Sequence, residues 1–156
     1  MELHKYCETF KSAIEHYTLT EDQLYFTDTP KEAIALAAED PDRHPILAIK
    51  DGLLVTFFVL HSNEGVKPYS DNEQAILVRT FSTCFYQLGK GYGTEALSAL
   101  PQYLKMNYSG INEIILAVNY RNEVAQGLYK KCGFIDTGLR SMGKKGELIV
   151  MSHRFD

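Results

Sequence analysis

The chain has 156 residues, of which 45% are hydrophobic and 23% charged, so it is long and apolar enough to bury a core. Its net charge of −4 argues against nucleic-acid binding, because contact with many phosphates needs a clustered basic surface. No apolar run approaches the roughly 20 residues that span a bilayer, and the N-terminus lacks the basic-then-apolar order of a signal peptide. We therefore expect a cytoplasmic protein without a membrane or nucleic-acid partner.

The three cysteines, Cys7, Cys84 and Cys132, are odd in number and scattered. This spacing favours neither a disulfide framework nor a cysteine-based metal site. No internal repeat or long linker divides the chain. We therefore expect residues 1–156 to form one domain without a metal.

The first 40 residues are predicted to be mainly helical, after a short strand in the opening MELHKY. A second helix is predicted to start at Thr29-Pro30, because threonine caps helix N-termini and proline is favoured at the first helical position. The four apolar residues that share one face of the first predicted helix are Phe10, Ala13, Ile14 and Tyr17.

From Pro45 onward the apolar period changes to that of strands. Residues 46–50 and 53–61 flank Asp51-Gly52, a pair that suits the left-handed positions of a type I′ turn and so predicts a hairpin. Residues 62–72 are polar and are predicted to form a loop, and 74–83 are predicted to form a third strand.

The second half alternates helices with strands. A strand is predicted over 113–119, a helix from Asn122 to Gly133, and two strands over 134–139 and 147–155. Three strands in meander cannot come from a repeating parallel unit, so we expect α/β content with a mixed sheet. A helix that opens in the glycine-rich segment 87–97 should be bent by Pro101, and its apolar stripe consists of Ala96, Leu97, Leu100 and Leu104.

Segment 87–97, QLGKGYGTEAL, places Gly89, Gly91 and Gly93 between a predicted strand and a helix. Backbone N–H groups can converge there beside the positive end of the helix dipole, which suits a pyrophosphate. A P-loop needs serine or threonine directly after Gly-Lys, and a dinucleotide fingerprint needs glycine where Thr94 stands, so both are excluded. On spacing alone, a glycine-rich turn and an anion site both stay open.

Two motifs make the resemblance specific. LGKGYG, residues 88–93, resembles the pyrophosphate loop of the GNAT superfamily of N-acetyltransferases, Gln/Arg-x-x-Gly-x-Gly/Ala, although Leu88 replaces the polar first residue and Gln87 comes one position early. NEVAQGLYKKCGF, residues 122–134, resembles the second family motif, Asn-x-x-Ala-x-x-Leu-Tyr-x-x-x-Gly-Phe, at all six named positions. One predicted helix and one strand separate the motifs, as in the family.

The resemblance implies a GNAT fold, with a twisted mixed sheet that is splayed between its fourth and fifth strands and flanked by helices. It also implies transfer of an acetyl group from acetyl-CoA directly to a primary amine of a small molecule or peptide. A non-catalytic acyl-CoA-binding module of the same fold is the alternative, which Leu88 favours and Tyr129 opposes. A nucleotide-binding domain is a more distant alternative, and a homodimer through an edge strand stays open.

By the same resemblance, the end of the fourth strand, about residues 81–83, pairs with the pantetheine arm like an extra strand. The N–H groups of residues 89–94, the glycine loop, hold the pyrophosphate. A backbone N–H near the splayed strand is implied to stabilise the oxyanion. The residues implied to bind the cofactor are Phe81, Ser82, Thr83, Leu88, Gly89, Lys90, Gly91, Tyr92, Gly93, Thr94 and Asn122.

Tyr129 occupies the family's general-acid position, and a tyrosine is protonated at neutral pH and can donate a proton. A core aromatic is its plain alternative. Glu73 is predicted to be a base acting through water, with a solvated carboxylate as its alternative. Cys84 lacks a partner histidine or aspartate in sequence, so a covalent nucleophile is not expected. The other candidates for the base are His61, Tyr69 and Asp71.

Overall fold

The computed structural model describes residues 1–155 and contains one seven-stranded sheet in the order β1-β2-β3-β4-β5-β7-β6. The strands are β1 (Glu2–Lys5), β2 (Arg43–Lys50), β3 (Leu53–His61), β4 (Ala75–Thr83), β5 (Glu113–Asn119), β6 (Ile135–Gly143) and β7 (Gly146–Arg154). The helices are α1 (Lys11–Glu15), α2 (Glu21–Phe26), α3 (Pro30–Glu39), α4 (Tyr92–Asn107) and α5 (Glu123–Lys131). Only the β4–β5 pair is parallel, so the predicted mixed sheet is confirmed.

The N-terminal segment contains three helices where two were predicted. Helix α2 was missed, although Thr20 and Gln23 form a capping box: each side chain accepts a hydrogen bond from the other residue's backbone N–H. The start of α3 is as predicted, because Thr29 caps it and Pro30 is its first residue. The short first strand is also confirmed.

One of the two hairpin turns is as predicted from the sequence, and the other is shorter. Asp51 and Gly52 have φ values of 50° and 81°, as a type I′ turn requires, so the predicted β2–β3 hairpin is confirmed. The last two strands were predicted over 134–139 and 147–155, but β6 extends to Gly143 and β7 starts at Gly146, so a two-residue turn joins them.

Strands β4 and β5 pair only over Ala75–Val78 and Glu113–Leu116. Both strands continue beyond this region, β4 to Thr83 and β5 to Asn119, without pairing to each other. The predicted splay between the fourth and fifth strands is therefore confirmed. We call the space between the two diverging strand ends the gap.

A β-bulge in β4 accompanies the divergence. Arg79 pairs with Val59 and Ser82 pairs with Phe57 on β3, so two residues of β4 lie opposite Phe58 alone. Thr80, within the bulge, has φ of 57°, a left-handed conformation that β-branched residues rarely adopt. The bulge re-aims the end of β4 away from β5.

Helices cover both faces of the sheet. Helices α4 and α5 pack on the face of Ile76 and Val78. Helices α1 and α3 pack on the opposite face, against Leu47, Phe57 and Val59. Because side chains alternate along a strand, β4 presents residues to both helix layers. Anything that enters the gap can therefore be reached from either face.

Two glycines of the α5 region should respond oppositely to alanine. Gly133 has φ of 94°, and a Cβ there would lie 2.9 Å from His153 Nδ1, so Gly133→Ala should lower the free energy of unfolding by about 1–2 kcal/mol. Gly127 lies exposed inside α5 with nothing within 4 Å of its Cβ position, so Gly127→Ala should raise it by up to about 1 kcal/mol. Urea denaturation measures both. Shifts in the same direction would contradict this prediction.

Candidate active site

Gly93 joins the three parts of the predicted site. A Cβ at Gly93 would lie 3.3 Å from Leu128 Cδ2, 3.6 Å from the Phe81 ring and 3.6 Å from Thr83 Oγ1. The start of α4, the end of β4 and the middle of α5 thus meet at this glycine. The structure brings together the glycine loop, the strand end and the helix of Tyr129.

The glycine loop presents backbone donors that have no partner. Gly89 and Gly91 are left-handed, with φ of 77° and 80°, and Gly91 caps α4 without any side-chain hydrogen bond. The N–H groups of residues 89–94 donate to no other residue among 1–155. Nothing lies within 4 Å of the Cβ positions of Gly89 and Gly91. Open donors at the positive end of a 16-residue helix fit a pyrophosphate.

The side chains of the loop occupy different surroundings. Lys90 Nζ donates to Gln87 Oε1 at 3.1 Å, so the glutamine that precedes the motif position still lies along the loop. Leu88 is 45% exposed, and its side chain supplies no polar group. The Thr94 hydroxyl faces the Cys132 thiol, whose pKa is raised by burial. A contact from Thr94 to a phosphate stays a prediction.

Tyr129 is 8% exposed and packs between two aromatic rings, 6.0 Å from the Phe81 ring and 5.9 Å from the Phe134 ring between centroids. Its hydroxyl makes no hydrogen bond with any residue in the described range 1–155. No fully enclosed side-chain polar atom in that range lacks a partner, so the Tyr129 oxygen borders open space. Burial raises the pKa of Tyr129 above its usual value near 10, which keeps the hydroxyl a proton donor.

Asn122 caps α5, because its side-chain oxygen accepts a hydrogen bond from the Ala125 N–H at 3.2 Å. Asparagine is among the residues favoured at this position of a helix. The cap fixes where α5 begins and therefore where Tyr129, two turns later, enters the core. A direct contact from Asn122 to the cofactor stays a prediction.

Glu73 does not join the other predicted residues. It is exposed on the turn before β4, next to the end where Ala75 pairs with Glu113. The six residue steps from Ala75 to Phe81 span about 20 Å of strand, which exceeds the reach of a base acting through one water. In this position Glu73 is a solvated carboxylate, which was the alternative to its role as the base. Asp71 precedes the same strand end. Tyr69 packs against the cluster that contains Leu77, and its charge raises the pKa of Arg79, so a role for Tyr69 stays a prediction.

The last candidate for the base, His61, is buried, and so is Cys84. His61 ends β3 opposite Leu77, which lies four residues before Phe81 along β4. Its ring is engaged by Arg79 rather than directed to Tyr129. Cys84 is a buried free thiol, and no histidine or aspartate side chain among residues 1–155 hydrogen-bonds to it.

Helix α2 reaches into the gap through a residue that sequence reasoning missed. Gln23 Nε2 donates to the Thr83 carbonyl oxygen at 2.8 Å. The Cys84 N–H of the same peptide donates to Val55 on β3, so the Thr83 carbonyl points the other way, into the gap. The capping box at Thr20 is the sequence signal that could have located α2. It does not predict the hydrogen bond from Gln23 to the Thr83 carbonyl.

The same helix contacts the other side of the gap. Lys145 Nζ, on the β6–β7 turn, lies 4.5 Å from the centroid of the Tyr25 ring. On the β4 side, Tyr17 from the segment before α2 donates to the Ser82 carbonyl at 2.7 Å. The α1–α2 segment therefore spans the gap from β4 to the β6–β7 turn and closes it on the face opposite α4.

Comparison with known proteins settles the family. A family model described as the acetyltransferase (GNAT) family matches residues 8–134. The chain belongs to the GNAT family of acetyltransferases. It is 40% identical over 141 residues to the uncharacterized N-acetyltransferase YbbJ of Bacillus subtilis strain 168, which covers 90% of this chain and 88% of that protein. The predictions of a GNAT acetyltransferase, of acetyl transfer to an amine and of acetyl-CoA as co-substrate are confirmed.

Solved structures agree on the fold. The aminoglycoside acetyltransferase AAC(6')-Ib in complex with coenzyme A and kanamycin superposes with a TM-score of 0.77 at 18% identity, over 97% of this chain and 93% of that one. A Bacillus subtilis acetyltransferase in complex with CoA superposes with a TM-score of 0.68 at 14% identity, over 99% and 98%. At these identities the likeness concerns the fold alone, and the predicted GNAT fold is confirmed.

Residues 1–155 contain neither a candidate transmembrane helix nor a candidate metal-binding group. No helix in this range combines the length and the apolar character needed to cross a membrane. No three histidine, cysteine or acidic side chains in it are grouped so that they could hold a metal ion.

The glycine loop gives a direct binding prediction. Gly91→Glu should weaken acetyl-CoA binding at least about tenfold, because it places a carboxylate among donors that face an anion and strains a left-handed position. Calorimetric titration measures the dissociation constant. Gly110→Glu is the matched control, since Gly110 has φ of 84° but lies beyond the other end of α4. Unchanged binding in the Gly91 variant, or equal losses in both, would contradict the assignment.

Proposed function

We propose that this GNAT protein transfers the acetyl group of acetyl-CoA directly to a primary amine of a small molecule or peptide, within a ternary complex. One observation carries the proposal: the unpaired N–H groups of residues 89–94 and helix α5, which bears the unpaired hydroxyl of Tyr129, meet at Gly93 beside the end of β4. The structure of AAC(6')-Ib with both coenzyme A and kanamycin supports a ternary complex, because a protein of this fold binds cofactor and amine together.

Each element has a distinct task in this proposal. The N–H groups of residues 89–94 hold the diphosphate of acetyl-CoA, which brings the thioester to be attacked. The edge formed by Phe81, Ser82 and Thr83 pairs with the pantetheine arm as an added strand would. A backbone N–H beside the Thr80 bulge points to the developing oxyanion and stabilises its charge.

Tyr129 donates a proton to the departing thiolate. Its raised pKa keeps essentially every Tyr129 side chain protonated at neutral pH, so the donor is present in each catalytic cycle. The packing against Phe81 and Phe134 fixes the ring, and the hydroxyl makes no hydrogen bond with any residue among 1–155. A ring that is already oriented lowers the entropic cost of reaching the reactive geometry.

Removal of the hydroxyl tests this role. Tyr129→Phe should lower kcat at least about 100-fold while the dissociation constant of acetyl-CoA stays within about twofold, because phenylalanine keeps the ring packing. The measurements are CoA release with the best acceptor of an amine and peptide panel, and calorimetric titration. Tyr103→Phe, on α4, is the control and should leave kcat unchanged. A kcat within about threefold of the parent protein would reduce Tyr129 to a core aromatic.

A further inference from the structure

Arg79 lies at the point where β4 and β5 separate. The residue before it, Val78, forms the last pair with β5 at Leu116, and the residue after it is the left-handed Thr80. Phe81, the first residue of the proposed pantetheine edge, is only two positions further on. The backbone of Arg79 is therefore next to the proposed site of acetyl transfer.

The side chain of Arg79 faces the sheet surface opposite the glycine loop. Arg79 pairs directly with Val59, and cross-strand partners point to the same face. Val59 belongs to the core cluster that contains Ile14 of α1 and Ala33 of α3. Val78, by contrast, packs with α4. A molecule that reaches the gap from the α1–α3 face, opposite the proposed diphosphate site, meets Arg79.

The guanidinium charge of Arg79 is poorly compensated. The side chain is half-buried and donates one hydrogen bond, from Nη1 to His61 Nδ1 at 2.8 Å. No carboxylate among residues 1–155 lies within 4.0 Å of it, whereas neighbouring Arg43 is paired to Asp40 at 3.2 Å. Burial, and then the charge of Arg43, lower the pKa of Arg79, while Tyr69, Asp28 and Asp40 act to raise it. Most of its five N–H donors remain available.

His61 holds the Arg79 side chain in place. Arginine is always the donor, so His61 Nδ1 accepts and the ring proton is on Nε2, which faces Asp40 Oδ2 at 3.5 Å. Gly65 packs directly on the His61 ring, where any Cβ would overlap it. The ring is thus fixed from both sides, and its hydrogen bond holds the guanidinium beside the end of β3.

We propose that Arg79 binds a carboxylate of the acceptor, and that the amine substrate is therefore an amino acid or a short peptide whose carboxylate lies near its amine. The planar guanidinium matches a carboxylate with two parallel hydrogen bonds. A positive charge without a carboxylate within 4.0 Å also favours a monoanion, and it would repel a polycation such as kanamycin. The inference rests on the proposed function and adds the class of acceptor. His61 acts as a positioning residue.

The first test needs no variant. The full chain is first titrated with acetyl-CoA, and CoA release is then measured with the 20 L-amino acids, glycylglycine, the carboxamide of each, and kanamycin. At least one acid should be acetylated with a kcat/KM about tenfold or more above that of its amide. If the protein binds acetyl-CoA but does not prefer acids to amides, or acetylates no acid, the inference is overturned and the proposed function is not. Failure to bind acetyl-CoA overturns the proposed function and the inference with it.

Variants then assign the preference to one side chain. Arg79→Gln should remove the acid-over-amide preference, with a loss of about 10- to 100-fold for the acid and little for the amide, and Arg79→Lys should recover part of it. Arg140→Gln, an exposed arginine of β6, is the matched control and should change neither rate. Equal losses on acid and amide would show a structural role only and overturn the inference.

The positioning role of His61 predicts a pH effect. The charged groups that face His61 are Arg79 on β4, Arg43 on β2, and Asp40 and Asp42 before β2, while Glu64 on the turn that covers it is paired with Lys67. Burial and the two arginines lower the pKa of His61 below its usual 6.5.

Protonated His61 cannot accept from Arg79, so KM for the acid should rise relative to that of the amide as pH falls below 6.5. KM is expressed per free amine, so that ionisation of the acceptor cancels. His61→Gln should abolish this divergence while the protein stays folded by circular dichroism. If KM for the acid and KM for the amide change in parallel with pH in the parent protein, the role of His61 is overturned.

Discussion

The left-handed backbone at Thr80 is the constraint on which the site depends. A β-branched residue in this conformation costs on the order of 1–3 kcal/mol and persists only where its surroundings fix it. Here β3 pairs on both sides of the bulge, at Arg79 and at Ser82, and Phe58 and Phe81 stack beside it. Without the bulge, the end of β4 would continue along β5 and the gap would close. The strain is therefore located where the strands must part.

Around this gap the molecule separates its tasks by sheet face. The glycine loop and Tyr129 come from α4 and α5, on the face of Val78. The α1–α2 segment and Arg79 lie toward the other face, and Gln23 and Tyr17 bind carbonyls at the end of β4. The two sets meet along the diverging strand. An acyl donor held from one face and an amine held from the other would thus come together at the bulge.

Local sequence signals predicted much of this framework. Asp51-Gly52 specified its turn, because both positions need left-handed φ, and Thr29-Pro30 specified the start of α3. The pair of ordered motifs located both the glycine loop and Tyr129. These features are local, so their physical causes lie within a few residues of one another in sequence.

What the sequence did not predict depends on contacts between distant residues. Helix α2 has six residues and is fixed by Thr83, 60 residues away from Gln23. Glu73 seemed close to the site because it precedes the right strand, yet the strand carries the site away from it. Arg79 was visible as the one charge in a strand of apolar and hydroxyl residues, AILVRTFST, but its meaning needed the strand register.

The central claim is that the glycine loop and Tyr129 act on one acetyl-CoA molecule in the gap. A crystal structure of the protein with CoA tests it most directly. The account predicts diphosphate oxygens within hydrogen-bond distance of the N–H groups of residues 89–94, and the CoA sulfur within about 3.5 Å of the Tyr129 hydroxyl. A diphosphate bound away from this loop, or a sulfur beyond reach of Tyr129, would contradict it.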